Sequence, residues 1–171
     1  MQGIGQSFEQ IVERHKGRVY SIALRITGDT GTAEEVAQDV FLECHRKLAS
    51  LTSEEHLIAW LCRVACHRAT DALRRRSARG GDLVMAFEED LLPPSKPPQD
   101  QPLMNRVEQL LLTLPEAQRA VILLRYQEDL DPQQIAGTLG MPLATVRSHL
   151  QRGIQLLRDK AERTLKEYTR G

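Results

Sequence analysis

Residues Asp131 to Arg152, DPQQIAGTLGMPLATVRSHLQR, leave this chain few folds to choose from. Gln133 to Leu139 carries apolar Ile135, Ala136 and Leu139 on one side. Gly140 then supplies the left-handed residue that ends a helix without steric cost. A second helix opening near Pro142 sets Val146, Leu150, Ile154 and Leu157 on its inner face at helical spacing. Its outer face carries Thr145, Arg147, Ser148, His149, Gln151 and Arg152. Such side chains bond base edges and phosphates, and an α-helix fits the major groove. Small Ala136 lets the two helices approach closely, as a helix-turn-helix requires. A plain helical hairpin with a solvated polar face shares the periodicity, but the offsets of Ala136, Gly140 and the apolar residues fit the helix-turn-helix better.

The formal net charge is zero, which speaks against a nucleic-acid partner if charge is taken as a whole. Its distribution speaks for one. Trp60 to Gly80 holds six arginines against one acid, whereas Met1 to Ala59 and Gly81 to Asp100 are acidic. Segregated charge lets one surface attract phosphate and another a basic partner. Aromatic residues make up only 4% of the chain, too few for an extensive stacking platform for single strands. No apolar run approaches the roughly 20 residues of a membrane span, so no membrane insertion is expected. The opening MQGIGQSFEQ lacks the basic start and apolar core of a secretory signal. Three cysteines, an odd number, then fit a reducing cytoplasm. Neither a cofactor nor a bound metal is expected.

Ahead of that stretch the chain reads as helices throughout. Gln6 to Thr27 carries Phe8, Ile11, Val12, Val19, Ile22, Ala23 and Ile26 as one apolar stripe, and Gly28 with Asp29 breaks it. Thr32 and Glu35 have capping-box spacing and predict a second helix to about Ala49. There Val36, Val40 and Phe41 face inward, leaving Glu35, Gln38, Asp39 and Glu43 as an acidic outer face. Ser53 is placed to cap a third helix, which turns Ile58, Leu61, Cys62, Ala65, Ala69, Ala72 and Leu73 one way and Arg63, His67, Thr70, Asp71 and Arg74 another. Arg74, Arg75, Arg76 and Arg79 close it. Cations suit a helix C-terminus, but four arginines in six residues exceed that need and suggest a phosphate track. Gly80 to Pro102, with two Pro-Pro pairs and a Gly-Gly, reads as a linker. Such a length typically spans ~25 Å and at most roughly 75 Å, enough to set two domains on DNA sites more than one helical turn (~34 Å) apart. Leu103 to Leu114 is a further helix, and Pro115 is expected to open the next at its first position, with Val121, Ile122, Leu124 and Tyr126 on its core face. The last helix runs to about Tyr168. No segment alternates at period two. The expected class is all-α: two small helical domains, residues 1–79 and 103–171, joined by a flexible linker at 80–102.

The constellation resembles the extracytoplasmic function (ECF) sigma factors, the smallest class of the sigma-70 family, over nearly the full chain. AEEVAQDVFLECHRKL looks like the early part of the family's region 2, which docks on the β′ clamp helices of RNA polymerase. AWLCRVACHRATDALRRR looks like the later part of region 2, which opens and reads the −10 promoter element. LPEAQRAVILLRYQEDLDPQQIAGTLGMPLATVRSHLQRGIQLLR looks like region 4, which reads the −35 element and meets the β flap. The resemblance implies a non-enzymatic initiation factor that gives the core polymerase promoter specificity, often restrained by an anti-sigma factor. It assigns core polymerase binding to Glu35, Gln38, Asp39 and Glu43. It assigns −10 recognition to Arg63, His67, Asp71, Arg74, Arg75 and Arg76, with the loop Leu51 to His56 beside them. It assigns −35 recognition to Thr145, Arg147, Ser148, His149, Gln151 and Arg152. Three positions depart from the family pattern: His67 stands for a usual Asn, His45 for a common Trp, and Pro142 for the usual capping Ser.

A helix-turn-helix regulator with a different N-terminal domain is the first competing reading, and the all-helical, arginine-ended first half opposes it. A metal or redox sensor is the second. Cys62 and Cys66 lie four apart on one helix beside His67, with Cys44 and His45 on the helix before; structural zinc more often uses two close ligand pairs across a turn. An enzyme is the third, but the chain has no phosphate-cradling glycine loop, no H-E-x-x-H and no G-x-S-x-G.

Overall fold

The computed structural model describes residues 4–79 and 101–168. Among them lie seven α-helices, one 3₁₀ turn and no strand. The first half is a three-helix unit of α1 (Phe8–Thr27), α2 (Thr30–Lys47) and α3 (Glu54–Ala78), with the 3₁₀ turn Leu48–Ser50 after α2. Each helix starts where a side chain satisfies orphan backbone donors. Ser7 and Gln10 make a capping box at α1, Asp29 accepts from Thr32 N at α2, and Ser53 accepts from His56 N at α3. The start of α2 therefore differs from the expectation. Asp29 and not Thr32 is the cap, and its carboxylate takes both the amide and the hydroxyl of Thr32. The two hydrogen bonds hold the Asp29 carboxyl below its ordinary range. Ile11, Val19, Ile22 and Ala23 of α1, Val36, Val40 and Phe41 of α2, and Leu61, Cys62, Ala65 and Ala69 of α3 are buried together as their spacing predicts. On α3 the spacing singled out Ile58, but Leu57 takes the fully buried place and Ile58 is only partly covered.

The second half holds α4 (Gln101–Leu112), α5 (Glu116–Tyr126), α6 (Pro132–Leu139) and α7 (Leu143–Tyr168). Residues 80–100 of the expected linker lie outside the described residues, and its last two, Gln101 and Pro102, belong to α4. Pro115 is the N-cap of α5 and not its first helical residue. Tyr126, expected on the core face, is 65% exposed at the end of α5, with the Arg125 guanidinium 5.9 Å from its ring centre. Asp131 makes a capping box with Gln134 at α6, and Gly140 (φ 65°) ends it in the left-handed conformation. The amides of Gly140 and Met141 both return to the Ala136 carbonyl. That closes the tight turn into α7.

The two halves are docked, and their buried apolar residues belong to one cluster. Arg119 of α5 lies at the seam. It is only 7% exposed, and its guanidinium donates to the carbonyls of Leu111 (3.0 Å), Leu112 (2.7 Å) and Leu114 (2.9 Å) and to Ile26 O of α1. One planar fork thus serves carbonyls at the ends of two helices, α4 and α1, where a cation is also favoured by the helix dipoles. Gly28 (φ 70°) ends α1 beside it, and the Leu112 side chain packs where a Cβ would stand.

Candidate nucleic-acid interface

The helix-turn-helix presents its polar face as the spacing implies. Val146 of α7 is fully buried and anchors the first turns against the rest of the fold. Arg147, Gln151 and Arg152 are exposed, and Thr145 and Ser148 are half-exposed beside them. His149 is set differently: half-buried, with Nδ1 enclosed and without a hydrogen-bond partner. What holds α7 so firmly is a residue the sequence reading passed over. Gly153 is buried on α7, and a Cβ there would stand 2.5 Å from Ile122 Cδ1 of α5. The helices cross at that point with no room for a side chain. A glycine inside an apolar-periodic helix was the available signal, since it weakens a helix and needs a packing reason.

The second cationic surface is α3. Arg63, His67, Asp71, Arg74, Arg75 and Arg76 are all exposed, so the helix brings the six expected residues onto accessible surface. Arg74 Nε donates to Glu116 Oε1 at 2.8 Å, across to the N-terminus of α5. His67, Thr70, Asp71 and Arg74 form one wall of a cleft of about 290 Å³, with Glu116, Ala117, Ala120, Leu139 and Met141 among the residues of the other. The loop before α3 is held by Leu51, which is buried, and by the Ser53 cap.

The acidic face of α2 leaves Glu35, Gln38 and Asp39 exposed. Glu43 is half-buried and accepts from Arg68 of α3 at 2.7 Å, so it is partly neutralised. The pair raises the Arg68 pKa further. Leu42, 58% exposed, stands on the same helix; the sequence reading did not single it out. His45 is exposed and meets Phe8 edge-on, ring centres 4.8 Å apart.

Cys44, Cys62 and Cys66 are buried free thiols. Burial pushes all three up; Cys62 rises to about 12, helped by the Glu128 carboxylate beside it. Thiols so shifted stay protonated near neutral pH and react poorly. Among the described residues no group of three or more His, Cys, Asp or Glu is arranged to hold a metal ion. No described helix is long and apolar enough to cross a membrane.

Comparison with known proteins places both halves. The Sigma-70 region 2 profile matches residues 11–79 and the Sigma-70, region 4 profile residues 104–157. The chain is 32% identical to the probable RNA polymerase sigma factor RfaY of Xanthomonas campestris over 99% of its own length, but it spans only 44% of that relative. It is 26% identical to the ECF RNA polymerase sigma factor SigW of Bacillus subtilis, covering 92% of the chain and 90% of the relative. It is 32% identical to the ECF RNA polymerase sigma factor SigK of Mycolicibacterium vanbaalenii, covering 90% and 81%. In fold it is similar to the sigma factor RpoE of Bartonella quintana, solved in complex with the anti-sigma factor NepR, with a TM-score of 0.71 at 20% identity over 91% of this chain and 96% of that one. It is also similar to CnrH, solved with the cytosolic domain of CnrY, with a TM-score of 0.64 at 22% identity over 91% and 87%.

Proposed function

Because this chain belongs to the ECF family of RNA polymerase sigma factors, we propose that its two cationic surfaces divide promoter recognition between them. The α7 face of Thr145, Arg147, Ser148, Gln151 and Arg152 reads the −35 duplex, with His149 shaping the helix from its inner side. The α3 face of Arg63, His67, Asp71, Arg74, Arg75 and Arg76 takes the opened −10 strand. The α2 face of Glu35, Gln38, Asp39 and Glu43 docks on a basic surface of the core polymerase, the β′ clamp helices, and the second half meets the β flap. In this role the chain is a non-enzymatic initiation factor of the cytoplasm, without cofactor or metal, and an anti-sigma factor is its natural antagonist.

The observation that carries the reading is the mounting of α7. Val146 and Gly153 lock the helix against its neighbours while Arg147, Gln151 and Arg152 stay in solvent. A helix fixed on one side and cationic on the other is what groove binding requires. In the assembled holoenzyme, Arg147→Ala and Arg152→Ala should each weaken promoter complexes and lower the salt slope of binding by about one. Affinity for core polymerase should be kept. Unchanged promoter affinity and slope in both variants would refute the assignment.

A further inference from the structure

The arginine-rich part of α3 carries a single acid, Asp71. It is exposed and stands three positions after Arg68 and three before Arg74. Both of those arginines are engaged elsewhere: Arg68 donates to Glu43 of α2 at 2.7 Å, and Arg74 donates to Glu116 of α5 at 2.8 Å. The charge of Asp71 acts on both, yet among the described residues its carboxylate makes no hydrogen bond and no ion pair. Arg63, Arg75 and Arg76 are exposed too, and none of them forms an ion pair among the described residues. His67, one turn before Asp71, and Thr70 beside it share its wall of the cleft.

For phosphate binding alone this acid is a cost. A carboxylate repels every phosphate that passes it, whatever the base, and aspartate is a poor helix former. Its charge gives the helix only the small gain of neighbours three positions away. What an unpaired carboxylate does offer a strand is an acceptor that cannot donate. Cytosine N4 and adenine N6 are amino groups and donate to it, whereas guanine O6 and thymine O4 are keto oxygens and meet it lone pair to lone pair. We infer that Asp71 selects a base with an amino group, cytosine or adenine, at one position of the −10 element, while Arg63, Arg75 and Arg76 hold phosphates without regard to sequence. The unpaired state of the carboxylate is what suits it to this, since an acceptor already filled by arginine offers a base less. The inference rests on the α3 assignment made above and adds the base chemistry that α3 selects.

The test uses the assembled holoenzyme on a promoter library randomised across the −10 element, with the transcripts sequenced. With the parent chain, one −10 position should favour cytosine or adenine over guanine and thymine by about fivefold or more. Asp71→Ala should level that position and leave the others as they were. Asp71→Asn, whose amide both donates and accepts, should admit guanine and thymine there as well. Because Asp71 is exposed, both variants should fold as the parent does. A preference for amino bases that survives both substitutions overturns the inference, and so does a parent with no such position. Arg75→Ala on the same library separates that failure from a failure of α3 as the −10 face. It should weaken open complexes on all sequences alike. If it does so while Asp71→Ala changes no preference, Asp71 alone is misassigned. If neither substitution alters opening or preference, the α3 assignment falls and the inference falls with it.

Discussion

His15 shows how a single buried side chain ties stability to pH. It is 2% exposed in α1. Arg18 donates to its Nδ1 at 3.0 Å, which leaves the ring proton on Nε2, facing Glu54 at 3.5 Å. Nε2 has no hydrogen-bond partner. Burial, then the Arg18 and Arg14 charges, hold its pKa below the ordinary histidine value, and Glu54 only partly offsets them. The unfolded chain should therefore take up this proton at a higher pH than the folded one. Above about pH 6.5 neither state binds it and the histidine adds no pH dependence. Below that, stability should fall with decreasing pH, by at most about 1.4 kcal/mol per pH unit, until the folded pKa is passed. Denaturant unfolding of the parent and of His15→Gln at pH 7 and pH 5 checks this. The parent should lose more stability than the variant on acidification; parallel losses would contradict it.

At the scale of elements, α7 depends on a crossing that only glycine permits. Gly153→Ala gains up to about 1 kcal/mol of helix propensity but must displace Ile122, which is 4% exposed and would lie 2.5 Å from the new Cβ. Overpacking typically costs about 1–3 kcal/mol, so net destabilisation is expected. In an Ile122→Val background, which removes the Cδ1 atom in the way, the same change should become neutral or stabilising. Equilibrium unfolding of the double-mutant cycle decides it, and an equal penalty in both backgrounds would show that the crossing is not the cause. This crossing marks where sequence pattern stops. Helices were legible because apolar residues recur at helical spacing and because Ser53 and Gly140 are local signals that need no tertiary partner. The start of α2 was read three residues late, because Asp29 and Thr32 both offer a capping side chain, and Pro115 was read one position too far into α5, whose first helical residue is Glu116. Tyr126 was read as core because periodicity cannot tell that a helix ends in solvent. Gly153 could be noticed but not interpreted, since its reason lies thirty-one positions away on α5.

The whole molecule adds what no single helix carries. Charge segregation along the sequence marked an acidic α2 and a cationic α3 and α7, and those surfaces are present. The docking of the halves was not legible. Glu128 and Arg18 are far apart in sequence, and each reads singly as an ordinary surface charge. Arg119 reads as one polar position on an amphipathic helix, yet it satisfies carbonyls of both halves. In the proposed role the chain chooses promoters for core polymerase, with one surface per element. The direct measurement is the mapping of transcription start sites made by core polymerase on a promoter library, with and without the chain. The account predicts starts that depend on the chain and share two upstream sequence elements. It further predicts that Arg147→Ala alters only the −35 preference and His67→Asn only the −10 preference. Start sites identical with and without the chain would contradict it.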